Sequence, residues 1–231
     1  MPYLSKDLDR LHRFLLSQTI YPILLSTFLA LVLFAARVIQ SHSFAYQNLV
    51  WNLFLAWMPY LFSFWAAALY ASRSGRWWVI IFPGFLWLIF FPNGPYIITD
   101  FLHLANRPGV PIWYDILMLA TFAWTGCFLA IASLRTMQII VRNHLGWLMS
   151  WVFAGFALAL GGLGIYLGRF SRWNSWDIFI SPKEIIYDVA IRVLNPLSNL
   201  TFFGFTTLFT AFLIVCYLMF ISIRREVNIP H

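Results

Sequence analysis

The chain has 231 residues, of which 61% are hydrophobic and only 10% charged, with a formal net charge of +7. Soluble domains carry roughly 25% charged residues, so this composition excludes a water-soluble globular protein. A helical crossing of the hydrocarbon core takes about 20 apolar residues, and the length suits about six crossings.

Leu4, Leu8, Leu11 and Leu15 recur at helical spacing with charged residues between them and Ser5 placed to cap. They suggest a surface helix over 1–18, a frayed tail being the alternative. The apolar run that follows, Ile20–Ala36, exceeds the 7–15 residues of a cleavable signal core, so it reads as an uncleaved first span near 20–39. Further spans are expected near 49–71, 77–102, 113–132, 147–167 and 200–223. Pro59 should kink the second. The fold class is therefore an all-α polytopic membrane bundle of about six transmembrane helices in one domain, 1–231, with an amphipathic interfacial helix at the N-terminus and another in the fifth-sixth loop.

Orientation comes from Lys and Arg near the span ends. With both termini cytoplasmic, nine basic residues lie inside (Lys6, Arg10, Arg13, Arg73, Arg76, Arg135, Arg142, Arg224, Arg225) and six outside (Arg37, Arg107, Arg169, Arg172, Lys183, Arg192). The basic balance is thus membrane topology, and no nucleic-acid partner is expected. Cys127 and Cys216 fall deep in spans and read as small packing residues, with neither a disulfide nor a metal role.

The third span, Trp77–Phe91, is short for a crossing and runs into Phe91-Pro92-Asn93-Gly94-Pro95-Tyr96-Ile97-Ile98-Thr99-Asp100. Two prolines and a turn-prone Asn-Gly predict a break at 92–95, with Gly94 pushed toward extended geometry by Pro95. Pro95 would then open a short helix, Tyr96–Leu104, in which Asp100 and His103 share a face. Irregular backbone at membrane depth needs protein or a water-filled cavity over it and often frames a binding site. A plain surface junction with solvated Asp100 and His103 is the other reading. Asn93, Tyr96 and Thr99 are candidate ligand-binding residues here.

Pro111 is suited to opening the fourth helix, where Asp115 falls in the first turn beside Trp113 and Tyr114. The helix dipole explains an acid there, but its nearness in sequence to Asp100 and His103 keeps Asp115 among the candidates. In the fifth span, Gly155 and Ala159, then Gly164 and Gly168, have the small-xxx-small spacing of close helix packing. Next come Arg169, Arg172, Asn174 and Asp177 among Phe170, Trp173 and Trp176. If helical, the two Arg share a face and suit carboxylate or phosphate. Lipid anchoring and specific ligand binding explain them equally. Ser181-Pro182-Lys183-Glu184 reads as a capping box opening an amphipathic helix, with Ile185, Val189 and Val193 in one stripe, Ile186 and Ala190 beside it, and Asp188 and Arg192 facing elsewhere. This helix should end before Pro196 and could lid the site.

The decapeptide at 91–100, Tyr114-Asp115 and Gly168–Asp177 together resemble a bacterial family of multi-pass membrane proteins known as domain of unknown function 1361, over most of the chain from about Asn48 onward. The resemblance implies an integral membrane protein of bacterial origin, for which the topology above points to the cytoplasmic (inner) membrane, and brings no reaction, cofactor or partner. Three function classes fit. One is an outward-facing site that binds or acts on an envelope lipid or phosphate-bearing ligand, with Asp100, His103, Asp115 and Asp177 as catalytic candidates and Asn93, Tyr96, Thr99, Arg169, Arg172 and Asn174 as ligand-binding ones. The others are a transporter and an assembly factor binding a membrane protein partner. Carboxylates with one His could hold a cation, yet no metal-ligand spacing, nucleophile elbow or nucleotide motif is present, so metal and cofactor stay unassigned. The third and fifth spans are expected to deliver their polar ends to one shared pocket.

Overall fold

The computed structural model describes residues 19–72, 76–105 and 109–225. The predicted surface helix at 1–18 lies outside them, as do Arg73, Arg107 and Glu226. The described residues are helical, without strands: α1 (Ile20–Ser41), α2 (Asn48–Ser72), a 3-10 turn Trp77–Ile80 leading into α3 (Ile81–Phe90), α4 (Asn93–Tyr96), a 3-10 stretch Ile97–His103, α5 (Ile112–Tyr166) with a π turn Leu167–Ser171, α6 (Asp177–Ile180), α7 (Pro182–Leu194), a 3-10 turn Pro196–Ser198 and α8 (Leu200–Arg225). Five helical stretches among them are long and apolar enough to cross a membrane. Helix α2 continues through the buried Pro59.

Helix α5 spans 55 residues, about 80 Å at 1.5 Å per residue, far more than a bilayer. Gly146 divides it, with φ 83° and ψ 179°, a conformation only glycine adopts without strain. The two legs lie side by side rather than end to end. A Cβ on Gly94 would meet Gly126 O at 2.7 Å and Ala130 Cβ at 2.8 Å, while one on Gly164 would meet Pro92 Cβ at 2.8 Å. Ala130 and Gly164 would be about 50 Å apart along one straight helix, yet both touch the same few residues of the third segment. The chain therefore folds back at Gly146; the predicted fourth and fifth spans fall one on each leg, the first leg running well past residue 132.

Packing forms two apolar clusters that share the first leg of α5. One joins Trp87, Phe91, Leu134, Leu158, Leu213 and Tyr217; the other joins Leu53, Tyr60, Ile97, Met118 and Phe122. Polar groups within them are satisfied locally: Trp87 Nε1 donates to Ser133 Oγ at 2.9 Å, and Tyr217 hydroxyl to Gln138 Oε1 at 2.5 Å. That matters in a bilayer, where an unpaired polar group costs several kcal/mol.

Several local expectations are corrected. The α-helix stops at Phe90 and a turn covers Phe91 and Pro92, but segment 92–95 does not become extended: Pro92 and Tyr96 keep right-handed helical angles, Gly94 lies inside the short α4, and Tyr96 N–H bonds Pro92 O at 3.0 Å. Gly94 has no Cβ to clash with the following proline ring, and its contact with Gly126 holds it compact. Pro95 is thus the third residue of α4 rather than the first of a new helix. Of the predicted small-residue pairs in the fifth span, Gly164 and Gly168 do pack closely, against Pro92 and Tyr96, but the first pair does not. Gly155 and Ala159 are exposed, and a Cβ on Gly155 would meet nothing within 4 Å. The packed positions are Ala154, Ala157, Leu158, Gly161 and Ile165, the row facing the third segment and α8. Finally, Ser181 makes no side-chain cap at α7. With Pro182 at the first helical position the cap is supplied by the backbone, Ile185 N–H donating to Ser181 O at 3.3 Å.

Candidate functional site

The third and fifth segments do bring their polar ends together. Asn93 Nδ2 donates to Ser175 Oγ at 2.8 Å, and a Cβ on Gly168 would touch the Tyr96 ring at 3.1 Å. One turn further along, Arg169 Nη1 stands 3.6 Å from Asp100 Oδ1 and its Nη2 lies 3.0 Å from His103 Nε2. The Arg169 guanidinium thus bridges Asp100 and His103. Asp100 is 5% exposed, and Asn52 on α2 donates to its second oxygen at 2.7 Å. The 3-10 spacing aligns residues three apart, which puts Asp100 and His103 on one edge facing the same guanidinium.

Beside this cluster opens a cavity of about 660 Å³, within the ordinary range for ligand pockets. Its walls are apolar: Leu55 of α2, Leu88 and Ile89 of α3, Leu160 and Leu163 of α5. Helix α7 closes one side with Ile185, Ile186, Val189, Ala190 and Val193, the apolar stripe read in the sequence. Asn52, Asn93, Tyr96, Asn174 and Ser175 supply its polar side chains. Its rim includes the exposed apolar residues Trp51, Phe85, Ile178 and Ile186.

The lid is held on its polar face. Trp173 Nε1 donates to Asp188 Oδ2 at 3.1 Å, Arg192 forms an ion pair with Asp188, and the Arg192 guanidinium lies 5.7 Å over the Tyr166 ring. Partial burial alone would raise the Asp188 carboxyl, but the bonds from Arg192 and Trp173 outweigh it and hold it below the usual carboxylate value. The bond to Asp188 correspondingly raises Arg192. Phe179 of α6 meets Phe85 of α3 edge to face at 6.2 Å, fixing the near end of the lid.

The remaining sequence candidates divide. Asn93, Tyr96 and Asn174 line the cavity. Asp100, His103 and Arg169 form the ionic cluster behind Asn52. Thr99 donates to Tyr96 O at 2.7 Å and is buried, a helix-stabilising bond. Asp177 accepts from Asn174 N–H at 2.7 Å and Asn174 Nδ2 at 3.2 Å, so its carboxylate shapes the loop. Arg172 does not share a face with Arg169. It ends the π turn with φ 61°, is exposed, and has no polar partner among the described residues. Asp115 is committed elsewhere: Arg37 Nε donates to its Oδ1 at 2.7 Å and Arg37 Nη2 to its Oδ2 at 3.2 Å, with side chains 1% and 0% exposed. The Arg37 guanidinium also lies 4.7 Å over the Tyr46 ring. This bidentate pair joins α1 to α5 and explains Asp115 without chemistry.

Sequence reasoning noted Arg37 only as a loop charge. The signal available was a lone cation in an apolar span, which calls for a partner. Asn52 is a polar residue early in the second span, and its bond to Asp100 makes it the link between cluster and cavity. No group of three or more His, Cys, Asp or Glu among the described residues is arranged to hold a metal.

Neither a search of curated proteins nor one of solved structures returns a match. The family model described as Protein of unknown function (DUF1361) matches residues 51–216, a stretch that contains the cavity walls contributed by α2, the third segment, the second leg of α5 and α7. The chain therefore belongs to that family of membrane proteins.

Proposed function

We propose that the protein binds an envelope lipid in the 660 Å³ cavity, chain against the apolar walls and headgroup toward Asn93, Asn174 and Ser175. The observation that carries this reading is the rim. Trp51 at 54%, Phe85 at 50% and Ile186 at 68% exposure flank the opening, and such residues are stable only against lipid tails or an amphiphile. A lipid could then enter sideways from the bilayer without crossing water. Asp100 and Arg169 hold Asn52 in place from behind, a supporting rather than a reacting role.

The membrane is proposed to be a bacterial cytoplasmic membrane, with both termini inside and the cavity facing out, from the excess of Lys and Arg at the opposite ends of the spans. Alkaline phosphatase fused in the 170–176 loop should be active; activity only for fusions after 225 would reverse the orientation.

Lipid capture is tested with purified protein incubated with vesicles of total bacterial lipid and examined by native mass spectrometry. The wild type should retain one lipid mass. Ala190→Trp, which fills the cavity from the lid, should retain none while keeping its helical circular dichroism. A wild type without a discrete adduct, or a variant that keeps it, refutes the reading.

A further inference from the structure

Resting on that lipid-binding reading, we infer that the bound headgroup is uncharged and rich in hydroxyls, a sugar or polyol, rather than a phosphate. The first observation is the chemistry of the wall. Among the described residues, every polar side chain lining the cavity is neutral: Asn52, Asn93, Tyr96, Asn174 and Ser175. Of the charged groups near it, Arg172 is exposed and does not line it, and three others are engaged with protein. Arg169 is held by Asp100 and His103, Arg192 by Asp188, and Asp177 by Asn174. An anion entering the cavity would give up its hydration without meeting a cation, which is strongly unfavourable in apolar surroundings.

The second observation is the direction of the hydrogen bonds. Asn52 donates its amide N–H to Asp100 Oδ2, whose other oxygen faces the Arg169 guanidinium, and this pairing turns the amide oxygen away from the cluster. Asn52 Oδ1 is left without a partner among the described residues. Asn93 likewise spends an N–H on Ser175 Oγ. Each amide thus keeps a carbonyl acceptor and one further N–H, a set that a hydroxyl, which both donates and accepts, meets in full and a phosphate only in part. The aromatic rings of Trp51, Tyr96, Trp173 and Trp176 also line the cavity. They give flat apolar surfaces on which the C–H face of a sugar ring can pack.

The test uses the full chain in lipid nanodiscs with tritiated dodecyl β-glucoside, dodecyl phosphate and free glucose. Dodecyl glucoside should bind saturably at least tenfold tighter than dodecyl phosphate. Asn93→Leu should lower glucoside affinity at least tenfold and leave dodecyl phosphate unchanged. Ser175→Ala, a smaller change in the loop, should do the same more weakly if the leucine variant fails to fold. Dodecyl phosphate binding as tightly as the glucoside overturns the hydroxyl preference while leaving lipid binding standing. Absence of saturable binding by either dodecyl compound overturns both readings. Glucose competing as well as dodecyl glucoside upholds the hydroxyl preference but makes the ligand a free sugar, against lipid capture.

Discussion

Replacing Asp115 by Asn should cost this protein more than any comparable change in the cavity. Arg37 is 1% exposed and reaches Asp115 through two bonds, at 2.7 and 3.2 Å. Asparagine keeps the volume but removes the charge and turns an N–H toward Arg37. Hydrogen bonds to charged groups contribute about 1.5–3 kcal/mol each, and removing one partner of a buried pair costs about 3–5 kcal/mol. At about 2–4 °C per kcal/mol for a chain of this size, the midpoint should fall by roughly 6–20 °C. Thermal unfolding in mild detergent, followed by tryptophan fluorescence, measures it. The double variant Arg37→Met/Asp115→Leu leaves no stranded charge and should recover to within about 1–2 kcal/mol of the wild type, with lipid capture intact. Asp115→Asn with wild-type stability would refute the structural account of the pair. A stable double variant unable to capture lipid would return Asp115 to the functional site.

Two further outcomes follow from the packing and the lid. Gly164→Val places a branched side chain against the Pro92 ring, so it should lower stability by about 1–3 kcal/mol and weaken lipid capture, because Pro92 lines the cavity; unchanged binding and melting would contradict the close approach. Asp188 is held below its ordinary value, so its contribution to lid docking is complete above about pH 4, the free carboxylate range, and is lost as pH falls through the lower docked value. Hydrogen exchange across 182–194, corrected for intrinsic rates, should show protection that is flat from pH 7 to 5 and falls at lower pH. Asp188→Asn should start less protected and lose this dependence; the same acid loss in the variant would exclude Asp188 as its cause.

Local pattern carried much of this fold, and contact between distant segments carried the rest. The α7 stripe of Ile185, Val189 and Val193 was legible because an amphipathic helix writes its buried face into its spacing, and that face lines the cavity. Asp188 with Arg192 was legible for the same reason, four residues apart. The convergence of the third and fifth segments was expected from topology, since both run in one direction and end in polar residues. The partners were not readable. Arg37 and Asp115 are 78 residues apart, Asn52 and Asp100 are 48, and Asn93 and Ser175 are 82; no spacing rule reaches so far. The small-residue spacing found Gly164 and Gly168, which press on Pro92 and Tyr96, but Gly155 and Ala159 fitted a motif that many helix faces satisfy, and it missed Gly161 against Phe91. At Phe91 and Pro92 the α-helix is interrupted, but Gly94, seated against Gly126, stays helical where proline rules predicted extended backbone.

The account depends most on the cavity being the place where lipid sits. A dodecyl glucoside carrying a diazirine at mid-chain, photolysed in nanodiscs and mapped by peptide mass spectrometry, tests this directly. Labels should concentrate on Ile89, Leu163 and Val189, which line the cavity, and should disappear in Ala190→Trp. Labelling spread evenly over outward residues such as Leu25, Phe28 and Leu208, unchanged in the variant, would mean the protein meets lipid only as solvent.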